Sequence, residues 1–249
     1  MKQDLSNRIH DLAISLGADY FGVADLTPAR NFIRTQGGER AARYPRGVVM
    51  GIRLQDSLVE MLPDRDREGA ILYRHNSYDV VNANLDQIAL RMANLLQQEG
   101  FGALPVPASK RTSDEKIAGI FSQKLGAHLA GLGWIGKSCL LVTPDHGPRV
   151  RWVNVLTDAP LAPTGSPMEP RCGECTACVE ICPVHAFTGR MFSPGEPREE
   201  PREARFDAAA CDRYYRQLEK ELGFGGVCGL CLWACPHGKK GEGRSGGYP

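Results

Sequence analysis

No apolar run in this chain reaches the roughly 20 residues that a helical membrane span requires. The opening residues, MKQDLSNRIHDLA, lack the charged, apolar and small-residue order of an export signal, and no twin-arginine pair stands there. The chain is therefore expected to be cytoplasmic, with no membrane span. Neither sign of charge is in excess: 30 Lys and Arg face 29 Asp and Glu, for a formal net charge of +1. That balance gives no basis for a nucleic-acid or membrane-binding surface, and no nucleic-acid partner is expected. No segment repeats, so a solenoid or propeller is not expected. What remains is an ordinary globular composition, 42% hydrophobic and 24% charged over 249 residues, enough for one large domain with a small appendage.

Cysteine is the departure, with nine in the chain. A secreted disulfide scaffold would be shorter and would carry an export signal. In a reducing compartment, clustered thiols point to metal or redox chemistry. Residues 172–183 read CGECTACVEICP, which is C-x2-C-x2-C-x3-C-P with Cys172, Cys175, Cys178 and Cys182. That is the bacterial ferredoxin run for a 4Fe–4S cluster. Residues 228–236 read CGLCLWACP, a second run with Cys228, Cys231 and Cys235 that lacks its first cysteine. Cys211, in AAACDRYYRQ, can supply it. In two-cluster ferredoxins the fourth cysteine of each run ligates the other cluster. The expected sets are thus Cys172, Cys175, Cys178 and Cys235 for one cluster, and Cys182, Cys211, Cys228 and Cys231 for the second. Zinc is the alternative, since four-cysteine zinc sites also use C-x2-C pairs. Those sites usually pair two doublets, whereas here closely spaced cysteines lead twice into Cys-Pro. The ninth, Cys139, reads as a small buried hydrophobe.

A second stretch, AGLGWIGKSC at 130–139, contains two nucleotide-binding patterns. Gly131, Gly133 and Gly136 spell G-x-G-x-x-G, and Gly131, Gly136, Lys137 and Ser138 spell G-x-x-x-x-G-K-S. Both patterns work only as strand, loop and helix, with the helix N-terminus facing a phosphate. The order here is reversed. Apolar residues Ile117, Ile120, Phe121, Leu125 and Leu129 predict a helix upstream with Asp114 as N-cap, and CLLVTP predicts a strand downstream. The loop would then meet the negative end of a helix dipole. Gly131 reads as a helix-ending residue.

Elsewhere the pattern predicts a helix over 5–16, a strand at YFGVADL, a short helix with Thr27 as N-cap and Pro28 at N1, and a strand at RGVVMGIRL. A long helix is expected from about Ser77 to Gln98, with strands at GALPV and RVRWVNVLT. In the last of these, Asn154 is expected on the face of Val150 and Trp152, opposite Val153 and Val155. Residues 1–165 read as an α/β domain, PLAPTGSPMEP (160–170) as a linker, 166–238 as the cluster domain, and 239–249 as a disordered tail. SPGEPREEPREARF reads as a solvated surface loop. His128 reads as a satisfied helix-face residue and His146 as a solvated loop residue.

AGLGWIGK, then VNVLTD at 153–158, then the two cysteine runs with a lone cysteine between them, together resemble epoxyqueuosine reductase and its relatives, a superfamily that includes the reductive dehalogenases. The likeness is clearest over residues 114–236. It implies a nitroreductase-like α/β domain that holds cobalamin, followed by a small two-cluster ferredoxin-like domain that feeds it electrons. It also implies that Gly131, Leu132, Gly133, Trp134, Ile135, Gly136 and Lys137 lie against the corrin or its tail through backbone contacts. Three features depart from the family. The chain ends without the C-terminal helical-repeat domain associated with tRNA. EKIAG at 115–119 replaces a D-S-A-P-like stretch with a proposed catalytic Asp, and Asp114 is out of register. The dehalogenases' export signal is missing. Nor is there a D-x-H-x-x-G string for ligating cobalt through histidine.

The expected function is an iron–sulfur oxidoreductase. A ferredoxin- or flavodoxin-like donor would supply electrons through two 4Fe–4S clusters to cobalamin, for reduction of a small-molecule substrate. Tyr73, Tyr78 and Lys116 are the candidates for a proton donor, though each also reads as a structural or surface residue. The alternative is an electron-transfer or corrinoid-handling protein that reduces a partner redox protein and has no substrate of its own. A flavin in the α/β half is a third reading, for which the sequence offers no fingerprint.

Overall fold

Two eight-residue segments, RGVVMGIR and VRWVNVLT, are apolar enough to be buried on both faces, and they pair at the centre of the molecule. The computed structural model describes residues 2–192, 202–223 and 225–239. In chain order its α/β part runs α1 (Lys2–Ser15), β1 (Tyr20–Asp25), α2 (Arg30–Gly37), α3 (Glu39–Ala42), β2 (Arg46–Arg53), α4 (Asp56–Glu60), α5 (Arg67–Arg74), α6 (Val81–Gln98), β3 (Ala103–Val106), α7 (Gln123–Leu129), β4 (Trp134–Ile135), β5 (Leu141–Val142) and β6 (Val150–Thr157). The cysteine-rich part adds α8 (Ala177–Glu180), α9 (Ala208–Leu222) and α10 (Leu230–Trp233). The main sheet has the order β1-β2-β6-β3 and is antiparallel throughout.

Strand alternation divides the core between the sheet's faces. Val48, Met50, Val153 and Val155 join Ile9 of α1 and Leu85, Ile88 and Met92 of α6. Val49, Trp152 and Leu156 join Ile33 of α2 and Leu125 of α7 on the other side. Asn154 lies on this second face, as its register predicts, and donates through Nδ2 to Gln123 Oε1 at 2.7 Å. Gly126 lets α7 approach that closely, because a Cβ there would fall 1.9 Å from Asn154 Oδ1.

Several elements differ from the sequence expectation. The long helical path begins at Arg67, capped by the Asp66 side chain, and passes through a π-helical turn at His75–Val80 into α6. The helix expected from Asp114 is short and starts only at Gln123. Residues 113–118 instead close a turn on a Ser113–Ala118 bridge, with Ile117 in the left-handed region at φ 47°. Thr27 is not a cap. It opens a 3₁₀ turn after Leu26, and its N–H is received by the Asp25 side chain at 3.0 Å. The segment 160–170 has no regular structure but is no free linker. Thr164 exchanges two 3.0 Å bonds with Val23 of β1, and Leu161 is buried. His146 is half-buried, 2.5 Å from the Tyr20 hydroxyl, rather than solvated. Residues 193–201 of the expected surface loop and 240–249 of the expected tail lie outside the described residues. Among the described residues no helix is long and apolar enough to cross a membrane.

Candidate redox site

The cysteine runs fold into short turns and single helical turns. The N–H of Cys175 is bonded to the carbonyl of Cys172 at 3.0 Å, and α8 carries Cys178 from the next turn. Cys211 arrives from a different direction. It sits in the first turn of α9, whose N-terminus is capped by Asp207 accepting from the Ala210 N–H at 2.8 Å. An ion pair between Arg111 and Asp212 fastens the same turn to the α/β part. Hydrogen bonds from Arg111 hold the Asp212 carboxyl below the usual carboxylate range.

The thiols influence one another across the three segments that carry them. Burial, then the charges of Cys235, Cys172 and Cys175, pushes the Cys178 thiol up to about 11. Burial, then Cys228 and Cys182, pushes Cys211 up to about 11. Burial, then Cys228, Cys211, Cys178 and Cys182, raises Cys231 further still, so this thiol senses both runs. Backbone N–H groups point at the sulfurs: Ala186 donates to Cys182 Sγ at 3.3 Å, and Leu230, His237 and Gly238 serve Cys228 and Cys235. Such donors stabilise negative sulfur and tune a cluster's potential. Among the described residues, no three His, Cys, Asp or Glu side chains close around one ion.

The two groups differ in exposure. Cys175 is exposed, whereas Cys182 is buried. A shallow groove that reaches Cys228 is lined mainly by apolar side chains, including Leu62, Leu218 and Val227. Val227 and Leu232 belong to the main core, so the cysteine-rich part is packed into the α/β part. A polar network spans the same seam. Glu60 accepts from buried Arg149 at 2.6 Å and from Trp233 Nε1 of α10 at 2.8 Å.

The glycine stretch faces the chain itself. Gly131 ends α7 at φ 76°, and a Cβ there would meet Ser166 O at 2.8 Å. At Gly133 a Cβ would meet Val142 O at 2.3 Å, and at Gly136 it would meet Val142 Cγ2 at 2.9 Å and Cys172 Sγ at 3.4 Å. Trp134 and Ile135 form β4 against β5 and are buried, and only Leu132 and Gly131 are partly open. Trp134 packs edge-on to His237, with the Arg171 guanidinium 5.5 Å from its ring centre. Lys137 is 8% exposed and donates to the carbonyls of Gly173 at 2.8 Å and Cys175 at 3.1 Å. The stretch is thus a seat for the first cysteine run. His128 is buried in α7 with Nδ1 at 3.1 Å from Gly133 O, and Cys139 is buried.

Of the proton-donor candidates, the structure brings two together. Tyr73 is buried, 6.3 Å ring to ring from Tyr78, and burial followed by Tyr78 raises its pKa. The charge of Cys231 is the smallest of the influences that raise Tyr73. Tyr78 sits on the π-helical turn, with Arg151 3.9 Å from its ring centre and Tyr215 of α9 bonded to it. Lys116 is exposed on the 113–118 turn and donates to Thr35 O at 3.0 Å. The sequence pattern did not single out Tyr215, Arg151 or Lys124. Lys124 donates to Cys139 O, and burial lowers its pKa in the neighbourhood of Cys139, Arg202, Arg205 and Cys231. No spacing rule marks such residues, because their meeting is made by tertiary packing alone.

Residues 171–238 match the model of the 4Fe-4S double cluster binding domain family. Epoxyqueuosine reductase of Bacillus anthracis is 37% identical over 78 residues, which is 31% of this chain and 19% of that protein. The chain therefore aligns with about a fifth of the length of that curated relative. Among solved structures, a selenomethionine-labelled epoxyqueuosine reductase superposes with a TM-score of 0.61 at 19% identity, over 96% of this chain and 66% of that one. A reductive dehalogenase, whose structure suggests a mechanism for B12-dependent dehalogenation, superposes with a TM-score of 0.69 at 21% identity, over 93% and 31%. The fold of the chain is thus that of epoxyqueuosine reductases and reductive dehalogenases, and its cysteine-rich part is a 4Fe–4S double-cluster domain.

Proposed function

We propose that the chain is an iron–sulfur oxidoreductase of the epoxyqueuosine reductase type. In this reading Cys172, Cys175, Cys178 and Cys235 hold one 4Fe–4S cluster, and Cys182, Cys211, Cys228 and Cys231 hold the other. What supports it is the match of residues 171–238 to the 4Fe-4S double cluster binding domain family, a span that holds eight cysteines from three separate segments. The exposure of Cys175 supports a first cluster near the surface, open to a ferredoxin- or flavodoxin-like donor. The burial of Cys182 supports a second cluster further inside. Electrons enter at the first and leave from the second. Tyr73 and Tyr78 are the groups that hold a proton nearest that exit, with Arg151 orienting the Tyr78 ring.

Cobalamin is the acceptor that the B12-dependent neighbour supports, and when bound it supplies a strongly reducing centre for a small substrate. Of the glycine stretch, Gly131 and Leu132 are partly open to it, and Gly133 to Lys137 are packed against the chain itself. That same packing favours a second reading, in which the clusters reduce a partner redox protein. Anaerobic reconstitution with iron, sulfide and cobalamin, followed by removal of excess, separates the two. About eight irons with a retained corrin spectrum support the reductase, and about eight irons without it support the electron-transfer protein. About one or two metals per chain, bound as zinc, contradict both.

A further inference from the structure

We propose that Lys137 is a positioning residue for the first cluster, and that its ammonium holds that cluster's reduction potential up. The proposal rests on the reading that Cys172, Cys175, Cys178 and Cys235 carry a 4Fe–4S cluster. Lys137 is almost wholly buried, and its Nζ reaches across from the glycine stretch to Gly173 O and Cys175 O, two carbonyls of the first C-x2-C turn. Among the described residues no carboxylate pairs with it. Burying an ammonium against neutral carbonyls alone is unfavourable, because a buried charge calls for an opposite one. The negative group at hand is the cluster itself. The preceding residue, Gly136, approaches Cys172 so closely that a Cβ would lie 3.4 Å from its Sγ.

The pair Gly136–Lys137 therefore has two tasks at one place. Gly136 allows the backbone to reach the cluster loop, and Lys137 sets a fixed cation beside it. The resemblance to a nucleotide-binding G-K pair has the same physical root, a backbone approach plus a lysine directed at an anion. Here the anion is a thiolate-bound cluster. Adding one electron to an oxidised 4Fe–4S cluster adds one negative charge and breaks no bond. A nearby cation in a poorly screened site favours the reduced form over the oxidised one. Removing the cation makes that cluster harder to reduce.

The test is an anaerobic redox titration of the reconstituted full chain with dithionite, followed by electron paramagnetic resonance. The first cluster's signal is identified by its loss in Cys172→Ala. The expected result is that Lys137→Gln and Lys137→Met shift the first cluster's midpoint to more negative potential and leave the second in place, while Lys137→Arg restores the wild-type value. If both neutral variants lose the first cluster alone and Lys137→Arg keeps it, the positioning role stands. Unchanged or equally shifted midpoints in the neutral variants overturn the proposal, as does loss of the first cluster in Lys137→Arg as well. Failure of the underlying reading shows separately, as a wild-type chain that does not take up about eight irons.

Discussion

Cys211 has no neighbour at C-x2-C spacing, and only α9 delivers it to Cys182, Cys228 and Cys231. Its replacement by serine is expected to halve the iron of the reconstituted protein, from about eight to about four, as measured by iron and sulfide analysis. An unchanged iron content would remove it from the ligand set. At Gly133 the issue is space alone. A Cβ 2.3 Å from Val142 O has only backbone to displace, so Gly133→Ala should cost about 1–3 kcal/mol in denaturant unfolding. The double-cluster domain was legible in the sequence because ligation demands a local loop, and local loops leave fixed spacings. Lys137 was legible as a residue but not as a partner of Gly173 and Cys175, because that contact joins segments distant in sequence.

At the level of elements, α9 depends on its cap. Asp207→Ala removes the bond to the Ala210 N–H and is expected to cost about 0.5–2 kcal/mol. Because the first turn also carries Cys211, the variant should release iron from the second cluster faster under chelator challenge while the first is unaffected. The seam between α4 and α10 adds a pH dependence. Burial alone would raise the Glu60 carboxyl, but hydrogen bonds from Arg149 and Trp233 outweigh it and hold the group below its ordinary value of 4.5. A depressed folded value means that the stabilisation is complete above the ordinary carboxylate range and is lost as pH falls through the lower folded value. Glu60→Gln should therefore lower stability near neutral pH and flatten the decline on acidification, which thermal melts from pH 7 to 3 would show. Strands β1, β2, β3 and β6 were readable from apolar patterning. The helix expected from Asp114 was not, because the left-handed Ile117 and the Arg202 bonds to Lys116 O and Ile117 O hold that stretch as a turn. The π-helical turn at His75–Val80 escaped for a related reason, since it keeps helical periodicity while shifting register.

Across the whole molecule, the sequence's two-part division understates the contact. The glycine stretch, the 160–170 strap and the Glu60–Arg149–Trp233 network tie the cysteine-rich part into the α/β core. The difference between exposed Cys175 and buried Cys182 then has a consequence for oxygen. On controlled air exposure the first cluster is expected to bleach before the second, as followed by the decay of their separate paramagnetic signals. Simultaneous decay would mean that burial does not protect the inner cluster.

The interleaving of the two runs is the central claim, and single-cysteine variants measured by electron paramagnetic resonance of the reduced protein test it most directly. Cys182→Ala is predicted to abolish the same signal as Cys211→Ala, and Cys235→Ala the same signal as Cys172→Ala. If Cys182→Ala instead removes the signal that depends on Cys172, the first run holds a cluster by itself and the account is wrong.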